Sequence, residues 1–309
     1  MSLQPRLLRL VNRFYKRELD PRRAGQIWRE YDENRHYAEY LSRCRAAFRR
    51  APVPGDVDLR QKGFTYLRAL PADAAAARIH DLQQRHAPQL LKKDSRHLEG
   101  FRVADRPWLQ RLLGEVLQGQ VDESIAAFFG SEYLVHWMAF SLTRQAPEQQ
   151  SVSFRWHCDK GPSAHLKLII YLNPSVEHGG NTEFMDLAGT MAVAQRGYLF
   201  GWSKTRTGDV ARLARMAGRA LATQLRERAA GEAVLFQPGR VLHRGVSPTR
   251  GDRLTATLCL LPSPVHWQRA FDCETLSDLA VDEKWHDDAL VFLAALERRL
   301  QNGKTEVSA

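Results

Sequence analysis

The six residues RWHCDK (155–160) decide the fold, because they set His157 and Asp159 two positions apart with Cys158 between them. In an extended strand side chains alternate faces, so His157 and Asp159 point one way and Cys158 the other, as a packing residue. His243 follows 84 residues after the aspartate, and Arg253 ten further on. Two imidazoles and one carboxylate on a rigid scaffold make the facial triad that binds non-haem Fe(II) and leaves positions open. A guanidinium beyond it is suited to gripping a carboxylate bidentately.

The surroundings support a β setting. YLVHWMAFSLTR (133–144) precedes the motif and HLKLIIYLNP (165–174) follows it; Gly179-Gly180 then turn the chain into NTEFMD (181–186). EAVLFQP (232–238) runs through Pro238-Gly239 to His243, and RLTATLCLLP (253–262) closes the set. Short apolar, β-branched runs separated by turn residues are the pattern of a sandwich or barrel. A second His-x-Asp at His286-Asp287-Asp288 lies in VDEKWHDDALVFLAALERRL (281–300), which has helical spacing and no later histidine. It reads as the solvated start of a C-terminal helix.

Four segments, WHCD, YLNPSVEHGGNTEF, VLFQPGRVLHRG and RLTAT, stand in the order found in the Fe(II)/2-oxoglutarate-dependent dioxygenases. The run from about 130 to 265 resembles the double-stranded β-helix of that family, nearest its prolyl-hydroxylase-like and phytanoyl-CoA-hydroxylase-like branches. The resemblance implies an α+β fold with a jelly-roll, cupin-like core. It implies metal ligands at His157, Asp159 and His243, and a 2-oxoglutarate-binding cation at Arg253 with Thr255 two positions on. Tyr171 falls where prolyl-hydroxylase-like relatives contact the distal carboxylate of 2-oxoglutarate, and Lys167, four residues earlier, is a second candidate. The implied co-substrates are 2-oxoglutarate and O2, and the implied reaction is hydroxylation of an unactivated carbon. Halogenating relatives carry a small residue in place of the aspartate, so Asp159 argues against halogenation.

Around this core, residues 1–55 read as a basic helical extension. Residues 56–130 read as helices and an outer strand packing on the core, with GFTYLRAL (63–70) as that strand and 71–87, 106–118 and 121–130 as helices. Residues 187–231 form an insertion inside the core, with a helix expected over 209–230 capped by Asp209. A connection this long is expected to border the active-site mouth and to bear on substrate choice. Residues 266–309 read as a C-terminal helix and a disordered tail.

Of the 309 residues, 45 are Lys or Arg and 35 Asp or Glu, a net charge of +10. Residues 1–50 carry a net +7 and residues 196–230 a net +6, so the rest of the chain is slightly acidic. Positive charge concentrated in this way attracts anions, and the expected substrate is a small or lipid-like anionic molecule. The apolar stripe Leu3, Leu7, Leu10, Val11 and Phe14 among arginines allows peripheral membrane contact through residues 1–20. Nucleic acid ranks lower, since Lys160 follows Asp159 and no second arginine stands within six residues after Arg253. Four cysteines without CxxC spacing suggest neither zinc nor disulfides, and a reducing cytoplasm is the expected location. A protein (prolyl-type) hydroxylase and a non-catalytic basic binding protein on the same fold are the alternatives.

Overall fold

A computed structural model describes residues 36–51, 54–90, 97–147, 151–159, 164–196, 198, 206–273, 277–278 and 288–306. The basic stripe of residues 1–20 and the pair His286-Asp287 lie outside the described residues.

The strands are β1 (Phe64–Arg68), β2 (Gln89–Leu90), β3 (Leu98–Phe101), β4 (Glu132–Thr143), β5 (Leu166–Tyr171), β6 (Asn181–Met185), β7 (Thr223–Gln224), β8 (Glu232–Phe236), β9 (His243–Val246), β10 (Arg253–Ser263) and β11 (Ser277–Asp278). They form two facing sheets. The larger runs β1-β8-β5-β10-β4-β3-β2, with β11 beside β4, and the smaller runs β7-β6-β9. An antiparallel bridge between His157 and His243 extends the smaller sheet past β9. This is the double-stranded β-helix, with the triad segment at its edge.

Period-two alternation decides what each face of the large sheet does. Leu166, Leu168 and Ile170 of β5 point outward, with Ala256, Leu258 and Leu260 of β10 and Phe140 and Leu142 of β4. Against them pack α3 (Ala72–Arg85), α4 (Arg106–Val116) and α5 (Gly119–Phe129), which follow α1 (Tyr37–Ala47) and α2 (Val57–Gln61) in the chain. Each fully buried leucine in this layer contributes roughly 1.5–3 kcal/mol. Asp105 caps α4 by accepting from the Trp108 N–H at 3.0 Å, and Gly130, at φ 63°, ends α5.

The inner face is the one that matters for chemistry. Lys167 and Tyr171 of β5 share it with Arg253, Thr255 and Cys259 of β10 and with Trp137 of β4; Thr255 stands opposite Tyr171, and Cys259 opposite both Lys167 and Trp137. A bulge between Cys259 and Leu260 leaves one extra residue in β4 and shifts its register, so that beyond it Leu134 joins Leu261 on the side away from the outer layer. There α1 and α10 (Ala289–Glu306) cover them.

The small sheet alternates likewise. Phe184 faces inward, stacked on Phe64 at 4.9 Å and edge-on to Phe236 at 5.0 Å. Met185 faces outward with Trp156, Cys158 and Leu242, under Leu213 of α8 (Val210–Ala217), which follows the short α6 (Ser175–His178) and α7 (Leu187–Ala194).

Two stretches differ from what periodicity suggests. The helix expected over 209–230 starts as read, with Asp209 accepting from the Ala211 and Arg212 N–H groups, but ends at Ala217. Gly218 takes φ +69°, which glycine adopts without a Cβ penalty. The chain then pairs Thr223 and Gln224 with β6 as β7. At the other end, α10 runs on through Glu306 into the stretch expected to be disordered. Asp288, from the second His-x-Asp, accepts from the Leu290 N–H and pairs with His36 Nδ1 at 3.0 Å, so it works as a helix cap. α9 (Trp267–Asp272) fills the turn between β10 and β11.

Candidate metal centre and carboxylate site

Reciprocal backbone hydrogen bonds hold His157 and His243 together: His157 N to His243 O at 3.0 Å and His243 N to His157 O at 2.9 Å. Each ring is then oriented by its own strand. His157 Nδ1 lies 2.7 Å from Arg155 O, and His243 Nδ1 lies 2.9 Å from Val241 O. A carbonyl can only accept, so each Nδ1 carries the proton and each Nε2 presents a lone pair. Such tautomer fixing is what metal-binding histidines require. Burial, reinforced by the neighbouring His243, pushes the His157 pKa down to about 3, so that ring is neutral at pH 7.

Asp159 completes the group. Its Oδ1 lies 3.6 Å from His157 Nε2 and its Oδ2 3.6 Å from His243 Nε2, and a ligand atom from each of the three side chains lies within 4.8 Å of the others. Adjacent ligands at roughly 2.1 Å from a metal stand about 3 Å apart, so the three donors fit one ion with small adjustment. Burial works against the Asp159 charge, but Lys167 and the two imidazoles outweigh it and hold the carboxyl well below the usual range. Among the described residues this is the one cluster of three such groups. Cys158 points away into the outer layer, as alternation requires.

Lys167 lies beside the metal group. Its Nζ donates to Asp159 Oδ2 at 2.8 Å and lies 5.0 Å over the Trp137 ring. Arg253, in contrast, is seated at the start of β10. Its Nη1 donates to Asn181 O at 2.6 Å and its Nη2 reaches Thr143 Oγ1 at 3.5 Å, while Nε is buried with no hydrogen-bond partner. Burial lowers the Arg253 pKa, and the nearby Tyr171 works in the opposite sense. Tyr171 is fully buried, and its hydroxyl donates to Asn181 Oδ1 at 2.9 Å, with Thr182 Oγ1 at 3.1 Å. Thr255 is buried directly opposite it. A half-buried cation with a buried donor unspent, beside a phenol and a threonine, is chemically able to pair with a carboxylate.

Several residues here escape sequence reasoning. His178 is fully buried and within electrostatic range of Arg253. It accepts from the Gly180 N–H at 2.9 Å, and burial and then Arg253 bring its pKa down to about 4. Asn181 holds both Tyr171 and Arg253, and Thr182 meets the Tyr171 hydroxyl; the Gly179-Gly180 turn before them was the available signal. Arg206 of the insertion feels the charge of Asp159.

No protein-family model matches the chain, and a search of curated proteins found no match. Solved structures are similar at low identity. SnoN, a non-haem alpha-ketoglutarate-dependent epimerase from nogalamycin biosynthesis, is 13% identical with a TM-score of 0.44, over 72% of this chain and 84% of that one. EctD from S. alaskensis with bound Fe is 14% identical with a TM-score of 0.46, over 77% and 84%. HygX from Streptomyces hygroscopicus, with nickel, 2-oxoglutarate and hygromycin B bound, is 10% identical with a TM-score of 0.41, over 66% and 85%. The His-Asp-His triad implied by the resemblance to the Fe(II)/2-oxoglutarate-dependent dioxygenases is present in this chain, inside the double-stranded β-helix that the same resemblance implies.

Proposed function

We propose that this chain is an Fe(II)- and 2-oxoglutarate-dependent dioxygenase that hydroxylates an unactivated carbon of an anionic small-molecule or lipid-like substrate. The observation that carries this is the convergence of two imidazole Nε2 atoms and the Asp159 carboxylate, with both Nδ1 atoms tied to backbone carbonyls. A two-histidine, one-carboxylate set with open positions is the donor set of non-haem Fe(II) oxygenases. Bound there, Fe(II) with 2-oxoglutarate and O2 supplies the oxidising chemistry, which leaves succinate and CO2 beside the hydroxylated product.

The chain's own residues do the holding. His157, Asp159 and His243 bind the ion, and Lys167 keeps the aspartate ionised and pointed inward. Arg253, with Tyr171 and Thr255, takes the distal carboxylate of 2-oxoglutarate in a buried position where its charge is little screened. Anionic substrates are favoured by Arg206, whose charge reaches His157 and Asp159. Arg206 belongs to the 187–231 insertion, which supports that segment as a border of the mouth.

Succinate release from 2-oxoglutarate, measured with and without Fe(II), tests the reading. Wild type is expected to turn over, and Asp159→Ala and His243→Ala to lose all Fe(II)-dependent turnover. Unchanged turnover in either variant refutes the ligand assignment. A product one oxygen heavier than the substrate separates hydroxylation from other oxidative outcomes.

A further inference from the structure

Arg228, near the end of the insertion, is only 2% exposed. Its backbone is fastened to the chain just beyond β5: the Arg228 N–H donates to Ser175 Oγ at 2.7 Å, and the Ser175 N–H donates to Arg228 O at 2.8 Å. From there the guanidinium turns inward and lies 3.7 Å over the ring of Tyr66, on β1. Nη1 donates to Glu227 O at 2.9 Å. Nε and Nη2 are buried without a hydrogen-bond partner among the described residues, and the nearby Tyr66 hydroxyl likewise has none in hydrogen-bond geometry.

A buried cation without its counter-charge is among the costliest features a fold can carry. The cation–π contact with Tyr66 offsets part of that cost. The acid whose charge reaches Arg228 is Glu232, but its carboxylate is engaged elsewhere, by Arg68 at 3.7 Å and the Ala229 N–H at 3.0 Å. Beside Tyr66 and the neighbouring Arg226, the Arg228 charge also reaches Tyr171, which Arg253 reaches as well. Two guanidiniums, each with a buried donor unspent, thus lie within electrostatic range of one phenol at the inner end of the barrel.

We propose that Arg228 is a second carboxylate-binding residue for the dicarboxylate co-substrate, joining Arg253 around Tyr171, with the Tyr66 hydroxyl donating to the same carboxylate. This rests on the reading of Arg253 given above and extends it to a side chain supplied by the insertion. Nε and Nη2 lie on one edge of the guanidinium and match the two oxygens of a carboxylate. With two cations facing a single distal carboxylate, the site selects dicarboxylic 2-oxoacids over monocarboxylic ones.

The test is an anaerobic titration of the Fe(II)-loaded full chain with 2-oxoglutarate and, separately, with pyruvate, which has no distal carboxylate. Wild type, Arg228→Met and Arg228→Lys are compared, with the Tm of each metal-free protein measured alongside. Arg228→Met is expected to weaken 2-oxoglutarate binding about 10- to 100-fold and to leave pyruvate binding unchanged. Its metal-free Tm should equal or exceed that of wild type, because methionine fills the space without an unpaired charge. Arg228→Lys is expected to recover part of the lost affinity. Binding of 2-oxoglutarate by Arg228→Met within twofold of wild type overturns the proposal, as does equal weakening toward pyruvate accompanied by a lower Tm, which marks a structural role. If wild type itself fails to bind 2-oxoglutarate, the functional reading falls and this inference with it; binding by wild type that Arg228→Met leaves undiminished removes the inference alone.

Discussion

Lys167 and Asp159 form the contact that ties the large sheet to the metal group: the ammonium donates to Asp159 Oδ2 at 2.8 Å while resting 5.0 Å over the face of Trp137. The lysine therefore orients a ligand as well as neutralising it. Its place beside Cys259 in the sheet register puts this contact on the inner face, next to the triad.

Removing that support without removing a ligand should weaken metal binding and leave the fold intact. Lys167→Met is expected to lower Fe(II) affinity about 10- to 100-fold, the usual cost of losing a residue that orients a metal ligand. An anaerobic Fe(II) titration measures it, and an affinity equal to wild type would show that Asp159 needs no such partner.

Gly231 fixes the inner end of the site. It takes φ +78°, its N–H donates to Tyr171 O at 2.7 Å, and a Cβ there would stand 2.0 Å from Leu70 O. Gly231→Ala is expected to destabilise the protein by at least about 2 kcal/mol, through backbone strain and the clash with a main-chain oxygen. Denaturant unfolding checks this, and a loss under about 0.5 kcal/mol would contradict the geometry.

His178 gives stability a pH dependence. Its imidazole resists protonation down to about 4 in the folded protein, first through burial and then through Arg253, whereas in the unfolded chain it titrates near 6.5. Between those values only the unfolded state takes up the proton. Stability is thus full above about pH 6.5 and falls with acidification, by roughly 2 kcal/mol at pH 5 from this residue. His178→Asn keeps an acceptor for the Gly180 N–H and should flatten the slope between pH 7 and 5 by that amount. An unaltered slope would mean His178 is not the group responsible.

Much of this was legible in the chain because alternation is a strong signal where both faces of a strand have distinct work. In β4, β5 and β10 the outward positions are apolar and the inward ones include Lys167, Tyr171 and Arg253, so strand, face and site residues could be read together. β3 was silent: in LEGF one face carries Leu98 and Gly100 and the other Glu99 and Phe101, so neither is wholly apolar, and the strand exists because β4 offers it an edge to pair with. The end of α8 turned on Gly218, one residue inside an otherwise helical pattern. Arg228 stood among LRERAA (225–230), which reads as a solvated helix face. Burying an arginine depends on Tyr66 and Ser175, both remote in sequence, and neither composition nor period announces that.

The most direct measurement of the central claim is equilibrium binding of Fe(II) under anaerobic conditions, followed by addition of 2-oxoglutarate, in wild type and Asp159→Ala. Wild type is expected to take up an equimolar amount of Fe(II) and to develop a visible charge-transfer band when 2-oxoglutarate is added, and Asp159→Ala to show neither. Equal Fe(II) uptake by both proteins, or no band with wild type, would contradict the account.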